Sequence, residues 1–191
     1  MTDIFTTPIS AYKNVTDTTP ATVTLRQFLF SKKHRAQIIA LREKADKDDR
    51  DRLKKQLPAA TVSGTFTKRA AAHITAYNGL VCLDFDAADN PGQTPAAMKQ
   101  ILAAFDEVAY AAVSVGGAGV FCIVPTNNTD PTAHAQVVDL LGAVIANTCA
   151  LHYDSSCKDV SRLRIVSHDP EAWINPSPAV FDAARLLQSH K

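Results

Sequence analysis

Two carboxylates close a short apolar run in the middle of the chain, Gly79-Leu80-Val81-Cys82-Leu83-Asp84-Phe85-Asp86. Turn-forming residues lie on both sides of this run, so the pattern predicts a buried strand. Side chains at positions i and i+2 leave a strand on the same face, and Asp84 and Asp86 are therefore expected to point away from Phe85. Paired carboxylates are typical ligands of divalent cations such as Mg²⁺ and Mn²⁺. The alternative is that the two acids only cap the strand and start a turn.

The composition favours a folded, soluble protein. The chain has 191 residues, of which 46% are apolar, and this is enough for one packed domain or for a core with a helical lobe. No apolar stretch has membrane-spanning length, and residues 1–5 lack the basic and apolar regions of a signal peptide, so we expect a cytoplasmic protein. The four cysteines have no C-x-x-C spacing, and we expect reduced thiols rather than zinc ligands or disulfides.

Charge is distributed unevenly along the chain. Residues 1–70 carry 14 Lys and Arg against 7 Asp and Glu, whereas residues 71–191 carry 6 against 12. An excess of basic side chains attracts the phosphate backbone of a nucleic acid. The candidate contacts are Lys32, Lys33, Arg35, Arg50, Lys54 and Lys55. The alternative is a solvated helix face, because basic and acidic residues alternate at helical spacing over residues 44–55.

The order of the strand and helix patterns predicts an α+β fold in one domain, residues 1–191. A basic helical arm is expected over residues 22–57 and an α+β core over residues 58–191. Strand patterns occupy residues 9–15, 61–66, 80–86, 108–115, 120–125 and 164–166, and helix patterns occupy residues 25–30, 36–45, 48–56, 94–105, 132–151 and 179–189. From residue 80 onward the order is strand, helix, strand, strand, helix, strand, which is typical of a split βαβ sheet.

A glycine-rich turn joins the two strands predicted at residues 108–115 and 120–125. It reads Ser114-Val115-Gly116-Gly117-Ala118-Gly119, so it offers a hydroxyl and three glycines whose backbone can come close to a ligand. Such a turn suits the phosphates and sugar of a nucleotide, and the candidate contacts are Ser114, Gly116, Gly117 and Gly119. The alternative is that these glycines only serve the turn of the hairpin.

Charged residues are dense again after the helix predicted at residues 132–151. Asp154 is a candidate for the third carboxylate of a metal site. Three basic residues follow and are candidates for contacts with phosphate oxygens: Lys158, Arg162 and Arg164. The alternative is a structural network in which Asp159 pairs with Arg162 and Asp169 caps a turn.

Taken together, these segments resemble the archaeo-eukaryotic primase superfamily, which includes the primase–polymerase domains. Residues 57–66, 79–86 and 154–170 are more specifically similar to the VirE amino-terminal domain family of Bacteroidetes mobile-element proteins. The resemblance extends from about Val15 to Pro170. It implies a primase–polymerase-like fold with an RRM-like sheet. It also implies the first domain of a longer DNA replication protein, with a virulence-associated-E-type helicase as partner in cis or in trans.

The resemblance also implies a chemistry for these residues. Asp84, Asp86 and Asp154 would be the catalytic carboxylates and would bind Mg²⁺ or Mn²⁺, and the substrates would be nucleoside triphosphates and a DNA template, single-stranded by expectation. In such domains a histidine that contacts phosphates usually follows the glycine turn, and Phe121 stands at that place. The alternative is therefore a catalytically degenerate domain that binds nucleotides or nucleic acid and recruits a helicase. A metal-dependent nuclease is a third interpretation.

Overall fold

Ten strands and six α-helices make up the part of the chain that the computed structural model describes, residues 3–189. The strands are β1 Pro8–Tyr12, β2 Ala21–Thr24, β3 Ala59–Thr61, β4 Gly64–Phe66, β5 Ile74–Tyr77, β6 Leu80–Phe85, β7 Tyr110–Val113, β8 Val120–Pro125, β9 Leu163–Ile165 and β10 Trp173–Ile174. The helices are α1 Leu25–Leu29, α2 Arg35–Arg42, α3 Lys47–Lys54, α4 Pro95–Ala103, α5 His134–Cys149 and α6 Ala183–Ser189. This mixture of helices and strands confirms the predicted α+β class.

The central sheet has the strand order β10-β7-β8-β6, and each neighbouring pair is antiparallel. The succession β6, α4, β7, β8, α5 follows the predicted split βαβ order. The last strand of that order differs from the prediction, because β9 pairs with β3 in a second sheet, β2-β1-β3-β9. The segment after α5 instead reaches the free edge of β6, where the N–H of Asp154 donates to the carbonyl of Asp84 at 2.8 Å.

Two apolar cores cover the two faces of the central sheet. On one face, Val81, Leu83 and Phe85 pack against α4 and α5. On the other face, Leu80 and the half-buried Cys82 pack against the second sheet and helices α1 and α2. Successive side chains of a strand point to opposite faces, so β6 is covered on both sides and its apolar sequence is explained by burial on both faces.

The predicted helical arm forms as three short helices with different roles. Helix α1 begins with a capping box, in which the Thr24 side chain accepts from the N–H of Gln27 and the Gln27 side chain accepts from the N–H of Thr24. Helix α2 buries Ile38 and Leu41 in the core beside the second sheet. Helix α3 has no buried residue. The arm is therefore anchored mainly by α1 and α2, and α3 adds only the partly buried Leu53 to the same core and presents charged side chains.

Three features of the fold differ from the predicted elements. The strand predicted at residues 61–66 is divided into β3 and β4 by a turn at Val62 and Ser63. The short strands β2, β5 and β10 were not predicted, and each has only two to four residues. Strands β2 and β5 pair with the preceding strands β1 and β4, whereas β10 pairs with the distant β7. Within residues 3–189, no helix is long and apolar enough to cross a membrane.

Helix α5 holds the segment after it through a close contact at Gly142. A Cβ atom at this position would overlap the ring of Tyr153, whose hydroxyl donates to the carboxylate of Asp139. We expect Gly142→Ala to lower the free energy of unfolding by about 1–3 kcal/mol because of this overlap. The loss should appear although alanine favours a helix by about 1 kcal/mol over glycine.

Urea denaturation of the two proteins measures this difference. The exposed residue Asn147 on the same helix provides the control, since Asn147→Ala should change stability by no more than about 0.5 kcal/mol. Unchanged or higher stability of Gly142→Ala would contradict the tight packing of Tyr153 on α5.

Candidate functional site

A cleft of about 440 Å³ lies at the end of β6, beneath helices α2 and α3. Four parts of the chain meet there: the end of β6, the turn between β7 and β8, the segment after α5, and β9 with the residues before it. The cleft is lined by Arg42, Arg50, Lys54, Asp84, Asp86, Ser114, Val115, Gly116, Ala118, Gly119, Asp154, Arg162, Arg164 and Ile165. Residues separated by more than 100 positions in the sequence are therefore neighbours in the cleft.

The acid pair reaches the cleft through the alternation of β6. Phe85 is fully buried against the helices, and Asp84 and Asp86 both line the cleft on the opposite face. Asp84 forms an ion pair with Arg164 of β9. The thiol of Cys157 also lies within 3.5 Å of the other carboxylate oxygen of Asp84. One carboxylate of the pair is thus already matched by a basic group of the protein.

Asp86 is the carboxylate that stays open to a ligand. Its carboxylate makes no hydrogen bond or ion pair with any residue from 3 to 189. Partial burial raises the pKa of Asp86, and the charges of Asp84, Asp154 and Asp89 raise it further. Like charges close together disfavour ionisation, so Asp86 carries an electrostatic cost that a cation in the cleft would relieve.

Asp154 is held firmly by its own loop. Its carboxylate accepts from the N–H of Ser156 at 2.8 Å, from the hydroxyl of Ser156 at 2.9 Å and from the thiol of Cys157 at 3.1 Å. Burial acts to raise the pKa of Asp154, but these hydrogen bonds outweigh it and lower the pKa. Asp154 is therefore ionised and fixed in direction at the wall of the cleft.

The glycine turn places its backbone directly against the acid pair. The N–H of Ser114 donates to the carbonyl of Gly119 at 2.8 Å, and Gly117 has a φ of +86°, a conformation that favours glycine. A Cβ atom on Gly119 would lie 2.8 Å from the carbonyl oxygen of Phe85 and 3.0 Å from a carboxylate oxygen of Asp86. Only glycine fits there without displacing the end of β6.

Arg42 joins the helical arm to this turn. Its guanidinium donates to the carbonyls of Ser114 at 2.8 Å, Val115 at 3.3 Å and His168 at 3.0 Å, and to the hydroxyl of Ser167 at 3.1 Å. Burial lowers the pKa of Arg42. Arg42 was not among the predicted site residues, because in the sequence it is only one more basic residue at the end of an amphipathic helix. Its partners are 72 to 126 positions away.

The structure brings most of the predicted site residues together. The predicted residues that line the cleft are Asp84, Asp86, Asp154, Ser114, Gly116, Gly119, Arg162, Arg164, Arg50 and Lys54. Gly117 lies in the turn but faces Arg42, and Lys158 pairs with Asp139 at 2.6 Å, outside the cleft. The remaining predicted residues do not line it either: Lys32, Lys33, Arg35 and Lys55.

Phe121 stands opposite the acid pair in the central sheet. In the register of β6 with β8 it is the direct partner of Asp84, so its ring lies on the same face as the carboxylates. The ring is 2% exposed, and the guanidinium of Arg164 lies 4.7 Å from its centre. Phe121 therefore supports Arg164 by a cation–π contact, and the pair fills the face that neighbours Asp84.

The donor chemistry of the cleft fits a hard divalent cation. Asp84, Asp86 and Asp154 supply only oxygen ligands, as Mg²⁺ and Mn²⁺ prefer, and Asp86 gains from a neighbouring positive charge. Among residues 3–189, however, no three His, Cys, Asp or Glu side chains are already grouped as ligands. A cation at this place would need Asp84 to be shared with, or released from, Arg164.

The electrostatic cost at Asp86 gives a testable expectation. The pKa of the Asp86 carboxyl is raised above its ordinary value of 3.8 in the folded protein. Ionisation of Asp86 is therefore harder in the folded than in the unfolded chain, and it lowers the free energy of unfolding as the pH rises above 3.8. Asp86→Asn should therefore raise the free energy of unfolding near neutral pH. The gain should disappear as the pH falls below 3.8, where aspartate is protonated in both states.

Urea denaturation as a function of pH tests this expectation. Asp106, an exposed acid on the loop before β7, is the control, and Asp106→Asn should show no comparable pH-dependent gain. A loss of stability in Asp86→Asn near neutral pH would contradict the charge crowding inferred for the cleft.

Comparison with known proteins places the chain in a family. Residues 52–173 match the family model described as BT4734-like, N-terminal domain. A solved structure, the AEP domain (PP-N190) of the primase–polymerase (PrimPol) of cyanophage S-2L, aligns with a TM-score of 0.48 and 16% identity, covering 97% of this chain and 89% of that chain. No curated protein matches the chain. The VirE description suggested by the sequence is not the one matched and stays a prediction. Because the family model covers more than half of the sequence, the chain belongs to the BT4734-like N-terminal domain family.

Proposed function

We propose that this chain is a primase–polymerase-like nucleotidyltransferase domain that binds a nucleoside triphosphate and Mg²⁺ or Mn²⁺ in the acid cleft. One observation carries the proposal. Three carboxylates, a glycine turn and five basic side chains from distant parts of the sequence line the same 440 Å³ cleft. Perturbed acids that converge with basic groups in a cleft are typical of sites of phosphate chemistry.

The charge of the cleft supports a polyanionic ligand. Its lining has five basic side chains, Arg42, Arg50, Lys54, Arg162 and Arg164, and three acidic ones. A triphosphate would meet the arginines, which bind phosphate oxygens through paired N–H groups. Since Arg162 and Arg164 line the cleft and Lys158 lies outside it, paired with Asp139, the two arginines are the better candidates for this contact.

Each part of the cleft has a role in the proposed reaction. Asp84, Asp86 and Asp154 would hold the divalent cation, which lowers the pKa of an attacking hydroxyl and neutralises negative charge on the phosphates when it is bound. The hydroxyl of Ser114 and the backbone N–H groups of the turn would hold the sugar or a phosphate. Arg42 would keep this turn in place, since it binds the carbonyls of Ser114 and Val115.

A second candidate is a degenerate domain that binds nucleotides without joining them. Two observations favour it: Phe121 offers no hydrogen bond to a phosphate, and Arg164 already pairs with Asp84. Such a domain would act in DNA replication of a mobile element by recruiting a virulence-associated-E-type helicase. Both candidates predict a nucleotide in the cleft, and they differ in whether nucleotides are incorporated.

Calorimetry of nucleoside triphosphate binding with and without Mn²⁺ tests the proposal. We expect binding that requires Mn²⁺ and that weakens at least about 10-fold in the double variant Asp84→Ala, Asp86→Ala, because one lost charge-assisted contact is worth more than about 1.4 kcal/mol. Asp106→Ala, an exposed acid outside the cleft, is the matched control. Equal binding by the double variant and the wild-type chain would refute the site.

A primer-extension assay then separates the two candidates. Incorporation of nucleotides by the wild-type chain, abolished in the double variant, supports the nucleotidyltransferase. Nucleotide binding without incorporation supports the degenerate domain.

A second groove beside the cleft suits a nucleic-acid strand. It has a volume of about 290 Å³ and is lined in part by Phe30, Lys32, Arg35, His168 and Ile174. Burial lowers the pKa of His168, and the charges of Arg35, Arg42 and Lys32 lower it further. Within residues 3–189, neither Lys32 nor Arg35 has an ion-pair partner. Basic groups beside exposed apolar and aromatic side chains are typical of surfaces that bind single strands.

The groove adjoins the acid cleft through Arg42, which lines the cleft and donates to the carbonyl of His168. We therefore expect the double variant Lys32→Gln, Arg35→Gln to bind a labelled oligothymidylate more weakly. The salt dependence of its affinity should also decrease, by roughly 0.7 in log–log slope for each lost phosphate contact.

Fluorescence anisotropy at several salt concentrations measures both effects. The double variant Lys13→Gln, Lys68→Gln removes two exposed basic groups outside the groove and should leave the slope close to that of the wild-type chain. An equal decrease in both double variants would mean that only total charge matters and would contradict a defined groove.

A further inference from the structure

Arg164 is a buried basic residue directed at the acid pair. It is the central residue of β9 and lies opposite Ala60 of β3, so it belongs to the second sheet while Asp84 belongs to the central one. The residue is 9% exposed. Its guanidinium lies over Phe121 and pairs with Asp84, and its Nε has no hydrogen-bond partner within residues 3–189. Asp84 is thus the carboxylate that balances this charge.

A buried guanidinium without an anion is strongly unfavourable, and so is a divalent cation placed next to it. In the chain without nucleotide, a cation that binds the Asp84 carboxylate would remove the ion-pair partner of Arg164. It would also place a second positive charge beside the buried guanidinium. Two other carboxylates lie at the same cleft. Asp154 already accepts hydrogen bonds from Ser156 and Cys157, and Asp86 makes no ion pair with Arg164 and would itself be a ligand of the cation.

A triphosphate in the cleft removes this conflict. Its oxygens offer Arg164 a new anion at the same cleft, and Asp84 becomes free for the cation. We infer that Arg164 is a positioning residue that couples the two ligands, so that the cation binds Asp84 tightly only when a nucleotide engages Arg164. This inference rests on the proposed function, since it requires the acid cleft to take both ligands.

Coupling of this kind is reciprocal, because each ligand must tighten the binding of the other by the same factor. The test is Mn²⁺ binding followed by electron paramagnetic resonance, with and without a non-hydrolysable nucleoside triphosphate analogue. Mn²⁺ that the analogue binds in buffer alone is subtracted. We expect the wild-type chain to bind Mn²⁺ at least about 5-fold more tightly when the analogue is present, the lower end of typical coupling.

Arg164→Gln should change Mn²⁺ binding in a way that a merely structural residue would not. Asp84 is free in this variant, so Mn²⁺ alone should bind more tightly than to the wild-type chain, and the analogue should add little. Arg162→Gln is the matched control, since Arg162 lines the same cleft without an ion pair to Asp84. Arg162→Gln should weaken binding of the analogue and, because Arg162 pairs with none of the acids in the cleft, should raise the affinity for Mn²⁺ alone by less than Arg164→Gln does.

The outcomes separate this inference from the proposed function. If the wild-type chain binds Mn²⁺ equally with and without the analogue, or if Arg164→Gln folds and binds Mn²⁺ no more tightly, the coupling is refuted and the proposed function stands. If the wild-type chain binds no Mn²⁺ even with the analogue, both are refuted. The comparison of Mn²⁺ binding by the wild-type chain with and without the analogue needs no variant, so it can refute the coupling even if Arg164→Gln does not fold.

Discussion

The site depends on one strand that is covered on both faces and yet ends in two carboxylates. Along β6, Val81, Leu83 and Phe85 pack against α4 and α5, and the intervening side chains face the second sheet. The strand can move little, because both faces contribute to apolar cores. Asp84 and Asp86 are therefore held in fixed positions at the end of the strand. Asp84 is compensated by its ion pair with Arg164, whereas the carboxylate of Asp86 has no such contact within residues 3–189 and is held in place by the stability of the strand.

Two further contacts fit the rest of the cleft around the end of this strand. Gly119 lets the turn between β7 and β8 approach Phe85 and Asp86 more closely than any other residue would. Arg42 binds the same turn from above through the carbonyls of Ser114 and Val115. Helix α3 has no fully buried residue, and the positions of its Arg50 and Lys54 over the cleft depend on the partly buried Leu53, which packs against the core, and on the neighbouring α2, which is anchored by its apolar face and by Arg42.

The positions of most strands and helices could be predicted from the sequence, but several of the contacts between them could not. Apolar runs bounded by turn residues located β6 and β8, and helix start and stop residues located the helices of the arm, since these signals are local. The acid pair, Asp154 and the two arginines were candidates because of their residue types and their order along the chain. Local signals do not show which distant residue a strand or side chain contacts. Strand β9 pairs with β3 instead of joining the central sheet, and Lys158 pairs with Asp139. Arg42 has no local signal at all, because its partners come from two distant segments.

Phe121 and Arg164 together form the face beside Asp84. Phe121 supplies a ring on which the guanidinium of Arg164 rests, 4.7 Å away. Arg164 places a permanent positive charge and five N–H groups on this face. Because this charge is buried, it needs an anion, and that anion is Asp84. The arrangement that fixes Arg164 thus also occupies Asp84, so under the proposed function the polyanionic ligand would be the group that frees Asp84 for the cation.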